Sequence, residues 1–235
     1  MATITISATD GGGSFQAFVR EPARKPAGAP TGAVVVIQEI FGVNQAMRDT
    51  CAWIADMGFI AVCPDLFWRI EPGIDITDKS EAEWKRAFEL FGKFDKEKGI
   101  EDLKATLAAA RTVPGANGRA GTMGYCLGGL LAFMMAEQSD ANINVSYYGV
   151  GLDGLLGDLN KVTKPLLVHI ADQDEFFPAE GRAKVAAAAK GNRHIACYNY
   201  NADHAFARIN GVHWDGRSAT IANGRSAEAL VKALG

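Results

Sequence analysis

The run AVVVIQEI, residues 33–40, is continuous and rich in β-branched side chains. A strand with one face in water alternates apolar and polar residues. One that does not alternate is buried on both faces, which requires a parallel sheet with helices packed on either side. The rest of the chain supplies the parts. FIAVCPDLF (59–67, with the strand ending at Pro64), INVSYYG (143–149), PLLVHI (165–170) and HIACYNY (194–200) read as further strands, and TITIS and SFQAFVR flank the glycines of DGGGS as a leading hairpin. Between them lie helical stretches: one after Asn44, a candidate N-cap, in which Met47, Cys51 and Ile54 recur before Gly58, then two around 80–94 and 97–111, one at 179–190 and one from about 216. EPARKPAGAPTG, 21–32, reads as a surface loop. Strands alternating with helices predict a mostly parallel α/β sheet covered on both faces, in one domain over 1–235. A chain of 235 residues with 48% hydrophobic content has the material for that core.

Charge and cysteine usage narrow the function. A net charge of −3 gives no electrostatic reason to bind nucleic acid or an anionic membrane, and the cluster REPARK reads as a solvated loop. Cysteines at 51, 63, 126 and 197 have no zinc-like spacing, which disfavours zinc, and neither metal nor organic cofactor is expected. No long apolar span and no leader pattern is seen, which predicts a cytoplasmic protein with free thiols, expected to be a monomer.

The segment GYCLGG, 124–129, follows an apolar run and precedes LLAFMM. It has the strand–turn–helix form and glycine spacing of a nucleophile elbow, with Cys126 where serine usually stands. At a helix N-terminus the dipole and free N–H groups favour a thiolate. Cys51, Cys63 and Cys197 lie on core-facing patterns and read as small apolar fillers. Ligands of such sheets bind beyond the carboxyl ends of the strands, where Glu39, Cys126, Asp172, Asp174 and His204 fall. His204, in the loop NADHAFAR, is the favoured base: His169 and His194 sit in or at strands and His213 near the surface. Asp174, deeper in its loop, is preferred to Asp172 as the acid that orients it.

The blocks QEIFGVN, AVCPDLF, GYCLGG, YYGVGL, DQDEFFP and HAFAR, in order from about residue 34 to 208, resemble the dienelactone hydrolase family. The resemblance implies an α/β-hydrolase fold and hydrolysis of an enol lactone through a thioester. It implies Cys126 as nucleophile, His204 as base, Asp174 as acid, and backbone N–H groups of Ile40 and Leu127 as the oxyanion hole. Glu39 matches the family's extra carboxylate and Arg208 one of its two arginines for a substrate carboxylate, so an anionic lactone is expected. Phe41, Phe88 and Tyr148 fall on pocket positions, as does Phe91, although helical spacing also suits both α-helical phenylalanines to plain core. Where the family has its second arginine this chain has Trp84, and Lys85 and Arg86 beside it are not automatic substitutes, since adjacent helix positions point about 100° apart. An enolate leaving group explains a thiol nucleophile: a thiolate adding to an ordinary ester is itself the better leaving group, whereas a resonance-stabilised enolate competes with it. The competing readings are another small ester or lactone hydrolase, a glutamine amidotransferase, a redox-active thiol protein, and a binding protein on a hydrolase fold. The 30 positions between Asp174 and His204 and the absence of an obvious resolving cysteine weigh against the second and third.

Overall fold

The computed structural model describes residues 2–23 and 30–235; residues 24–29 of the expected loop, and part of REPARK with them, lie outside the described residues. In chain order the strands are β1 (Ala2–Ser7), β2 (Ser14–Arg20), β3 (Thr31–Ile37), β4 (Ile60–Pro64), β5 (Ala116–Tyr125), β6 (Asn144–Tyr147), β7 (Leu166–Ala171) and β8 (Ile195–Tyr200). The helices are α1 (Gln45–Asp56), α2 (Glu81–Lys93), α3 (Lys96–Ala110), α4 (Leu127–Gln138), α5 (Ala179–Ala189) and α6 (Gly216–Leu234).

The strands form one sheet in the order β1-β2-β4-β3-β5-β6-β7-β8. β1 and β2 pair antiparallel with each other and β2 antiparallel with β4; from β4 to β8 all pairing is parallel. β3 is central, as its unbroken apolar run requires. Val35 and Ile37 enter the core layer that holds Leu103 of α3 and Leu131 of α4, while Val34 and Val36 enter the layer with Ile54 of α1 and Leu230 of α6. Each such buried side chain contributes about 1.5–3 kcal/mol.

β3 stops at Ile37 instead of continuing to Ile40. Past that point the Gln38 side chain accepts from the Leu66 N–H at 3.0 Å, and the chain turns out of the sheet, carrying Glu39 and Ile40 to its carboxyl edge. A 3-10 stretch, Leu152–Lys161, was not anticipated, although Leu152, Leu155, Leu156 and Leu159 recur along it at helical spacing. α1 begins at Asn44, whose side chain accepts from Met47 N–H at 3.2 Å. α2 begins at Ser80, which accepts from Glu83 N–H at 3.3 Å while the Glu83 carboxylate reaches back to Thr77 N–H at 2.9 Å. This reciprocal cap fixes the chain on either side of Asp78.

Candidate active site

Cys126 links β5 to α4 with φ 56° and ψ −114°, a left-handed turn that no β-branched residue tolerates well. The neighbouring glycines are steric necessities. A Cβ on Gly124 would lie 1.9 Å from the Gly128 carbonyl oxygen, one on Gly128 2.3 Å from that of Ile37, and one on Gly129 2.4 Å from that of Tyr147. The Cys126 N–H donates to the Tyr147 carbonyl at 3.1 Å, which anchors the turn to β6. Leu127 is the first residue of α4, so its N–H has no partner within the helix.

His204 arrives on the loop after β8, and its Nδ1 lies 2.7 Å from Asp174 Oδ2 on the loop after β7. The other Asp174 oxygen accepts from the Phe176 N–H at 2.9 Å, which holds the carboxylate in place. Asp172 points elsewhere and accepts from the Asn199 amide at 2.6 Å. Burial opposes charge on His204, but the negative charge of the Cys126 sulfur and the hydrogen bond to Asp174 outweigh it, raising the imidazole to about 10. The arrangement brings thiol, imidazole and carboxylate into one relay. Of the other histidines, His169 is buried between Tyr200 and Ser226, and His213 stands at the surface 3.6 Å from Asp203.

A second charged group lies beside the relay. Arg208 donates from Nε to Glu39 Oε2 at 2.5 Å and from Nη2 to Glu39 Oε1 at 3.0 Å. Its Nη1 donates to Asp78 Oδ2 at 2.6 Å, an oxygen that also accepts from Val212 N–H at 3.1 Å. All three side chains are buried. The guanidinium packs over the Phe41 ring at 4.8 Å. Burial of Arg208 works against its charge, and the Glu39 carboxylate more than compensates, so its pKa rises. Asp78 was not among the residues singled out from sequence. A lone acid in an irregular segment carries no local signal, and its partner is 130 positions away.

A cavity of about 190 Å³ opens onto this centre, lined by Ile40, Phe41, Trp84, Phe88, Phe91, Cys126, Val150, Phe176, His204 and Arg208. Trp84 stacks edge-on to Phe41 with centroids 5.0 Å apart and lies near Phe88 and Phe176, while its Nε1–H donates to the Asp78 carbonyl at 2.9 Å. Phe88, Phe91 and Phe176 are exposed at the mouth, not core. Phe176 and Val150 are wall residues the sequence reading did not name, although DQDEFFP puts Phe176 two positions past Asp174. Tyr148 packs against the His204 ring at 5.1 Å, behind the imidazole and outside the cavity wall; its buried hydroxyl has no hydrogen-bond partner among the described residues. Arg86 is engaged by Glu71 and Glu89, and among the described residues Arg208 is the only arginine or lysine lining the cavity. Cys51 and Cys63 are buried in the core, and burial pushes the Cys197 thiol to about 11.

The family model for the dienelactone hydrolase family matches residues 15–233. A protein of Azospirillum brasilense is 51% identical over the full length of both chains. The carboxymethylenebutenolidase of Pseudomonas putida is 40% identical, covering 97% of this chain and 94% of that one. A crystal structure from Klebsiella pneumoniae superposes with a TM-score of 0.84 over 98% of each chain at 23% identity, a likeness of fold.

Proposed function

The chain belongs to the dienelactone hydrolase family and is a carboxylic ester hydrolase; from that premise we propose that it opens an enol lactone through a thioester on Cys126. The observation that carries the reading is the Cys126 elbow facing a His204 that is 2.7 Å from Asp174, at the floor of a small apolar cavity.

The chemistry follows from the charges. Asp174 holds Nδ1–H of His204, leaving Nε2 to take the thiol proton. The sulfur adds to the lactone carbonyl; its C–S bond forms while the carbonyl electrons move to oxygen, facing the backbone N–H groups of Ile40 and Leu127. Collapse breaks the ring C–O bond, and the oxygen leaves as an enolate. The enolate takes up, at carbon or oxygen, the proton that His204 received from the thiol, which leaves the imidazole neutral, and settles as the ketone. Water, deprotonated by His204, then cleaves the thioester, and the thiol and a free acid are released. Glu39 offers a second acceptor for the thiol proton, provided it leaves Arg208. No metal or organic cofactor enters any step.

A dienelactone, its ring opening followed in the ultraviolet, tests the reading with mass spectrometry of the quenched enzyme. The expected result is an acyl adduct on the Cys126 peptide, and loss of turnover in folded Cys126→Ala. Substantial lactone opening by that variant would overturn it.

A further inference from the structure

Helix α2 has two apolar faces. Ala87 and Leu90 are buried, whereas Trp84, Phe88 and Phe91, spaced i, i+4 and i+7, share another face and line the cavity. Among the described residues three phenylalanines are exposed, Phe88 (48%), Phe91 (39%) and Phe176 (41%), and all three line that one cavity. Rings left in water at one place forgo burial that the fold could have used. They rim a concavity that also holds Cys126, so what covers them is part of the molecule that reaches the thiol.

Trp84 is the centre of this wall. Its ring stands edge-on to Phe41, at 5.0 Å and 83°, and near-parallel to Phe88 (5.6 Å, 30°) and Phe176 (6.4 Å, 25°). Phe176 in turn meets the His204 ring edge-on at 5.0 Å, so the rings run from α2 to the catalytic imidazole. The indole is held in place by its Nε1–H, which donates to the Asp78 carbonyl at 2.9 Å. That bond satisfies its one polar atom and leaves hydrocarbon for a ligand. A side chain already fixed loses little freedom when a ligand packs on it. A flat π-group gains stacked and edge contacts with several rings at once, which a short alkyl group does not.

In the reaction above, the lactone carbonyl carbon sits against the Cys126 sulfur. The γ-carbon lies across the ring oxygen from it, so an exocyclic substituent there projects toward the aromatic wall and the mouth. We propose that Trp84, Phe88, Phe91 and Phe176 form an aryl subsite, and that the site favours enol lactones with a flat aromatic group on the γ-carbon over those with an alkyl group. The inference rests on the lactone-hydrolase reading and narrows its substrate class. Arg208 lines the same cavity outside this subsite and stays the expected contact for a substrate carboxylate.

The test compares γ-benzylidenebutenolide with γ-ethylidenebutenolide, two uncharged enol lactones, each rate divided by that lactone's opening in hydroxide. The normalised kcat/KM of the wild-type protein should favour the benzylidene compound about tenfold or more. Trp84→Leu should lower that preference about tenfold, the change falling on KM for the benzylidene compound more than on kcat. In the Cys126→Ala background, which binds without turnover, the same substitution should weaken equilibrium binding of the benzylidene lactone by a similar factor. Phe88→Leu, at an exposed position, should act in the same direction and decides the matter if Trp84→Leu does not fold. No wild-type preference for the aryl lactone, or a preference unchanged in folded Trp84→Leu, overturns the proposal. Failure of the hydrolase reading looks different: neither ring opens, or Cys126→Ala opens both.

Discussion

The protein buries two histidines, and they are driven in opposite directions. His204 is raised to about 10 and His169 is lowered to about 3. Both have lost their water, and for both that loss works against charge. The partners decide the difference. His204 faces a carboxylate and a sulfur that can be negative. His169 faces the hydroxyls of Tyr200 (2.8 Å) and Ser226 (3.0 Å), which bond to a neutral ring equally well, and the nearby charge of Arg225 repels a proton. Ser226 in turn lies 2.7 Å from the Tyr147 hydroxyl, and Arg225 donates to Tyr200 at 2.9 Å, so His169 ties α6 to β6, β7 and β8. Depth of burial thus says little about which histidine does chemistry; the charge opposite the ring says much.

Removing the charge opposite His204 should have the largest effect. Asp174→Asn should lower kcat by about 10²–10⁴, as the ring loses the partner that fixes its tautomer, measured on any lactone the wild-type protein opens. A loss of less than tenfold would mean that Cys126 alone sustains the imidazole.

The two rings should also divide the pH dependence of stability between them. For His204 the folded value of about 10 lies above the ordinary 6.5, so the folded state binds the extra proton. Its stabilisation is complete below about pH 6.5 and is lost as pH climbs through about 10. For His169 the folded value of about 3 lies below 6.5, so the unfolded chain binds the extra proton and stability falls as pH drops from 6.5 toward 3. Urea unfolding across pH should show both declines. Cys126→Ala should start the alkaline decline at lower pH because the sulfur's charge is gone, and His169→Gln should flatten the acid one. An alkaline decline that stays in place without the thiol would assign the whole effect to Asp174.

Asp172→Asn should have the smallest effect, within about twofold on kcat/KM. Asp172 sits two positions from Asp174 yet bonds to Asn199 at the surface, and exposed contacts of this kind contribute little. A loss comparable to that of Asp174→Asn would transfer the orienting role.

The strands and α-helices were legible because each rests on local signals: the unbroken run at β3, the caps at Asn44 and Ser80, the glycines about Cys126. The meeting of Cys126, Asp174 and His204 was legible for a related reason, since parallel strands deliver their carboxyl ends to one edge and few reactive residues stand there. The 3-10 stretch Leu152–Lys161 escaped although Leu152, Leu155, Leu156 and Leu159 form a short apolar stripe, because Gly151, Gly154 and Gly157 about it read as loop. Asp78 escaped because its meaning lies entirely in Arg208, Val212 and Trp84, none of them adjacent in the chain. Tyr148, by contrast, sits in a readable motif, yet which side of the imidazole it occupies depends on its backbone, bent to φ 37°.

The 169 positions between Glu39 and Arg208 have a consequence for the protein's synthesis. A chain leaving the ribosome presents Cys126 well before Asp174, His204 or Arg208 exists. Until β7 and β8 add to the sheet, that cysteine has neither relay partner and keeps the modest reactivity of a free thiol, with a pKa of about 8.5. In the proposed mechanism the thiol is therefore activated only after the last strand has docked. A truncated product ending before β8 would carry the elbow's residues but no imidazole to activate its thiol.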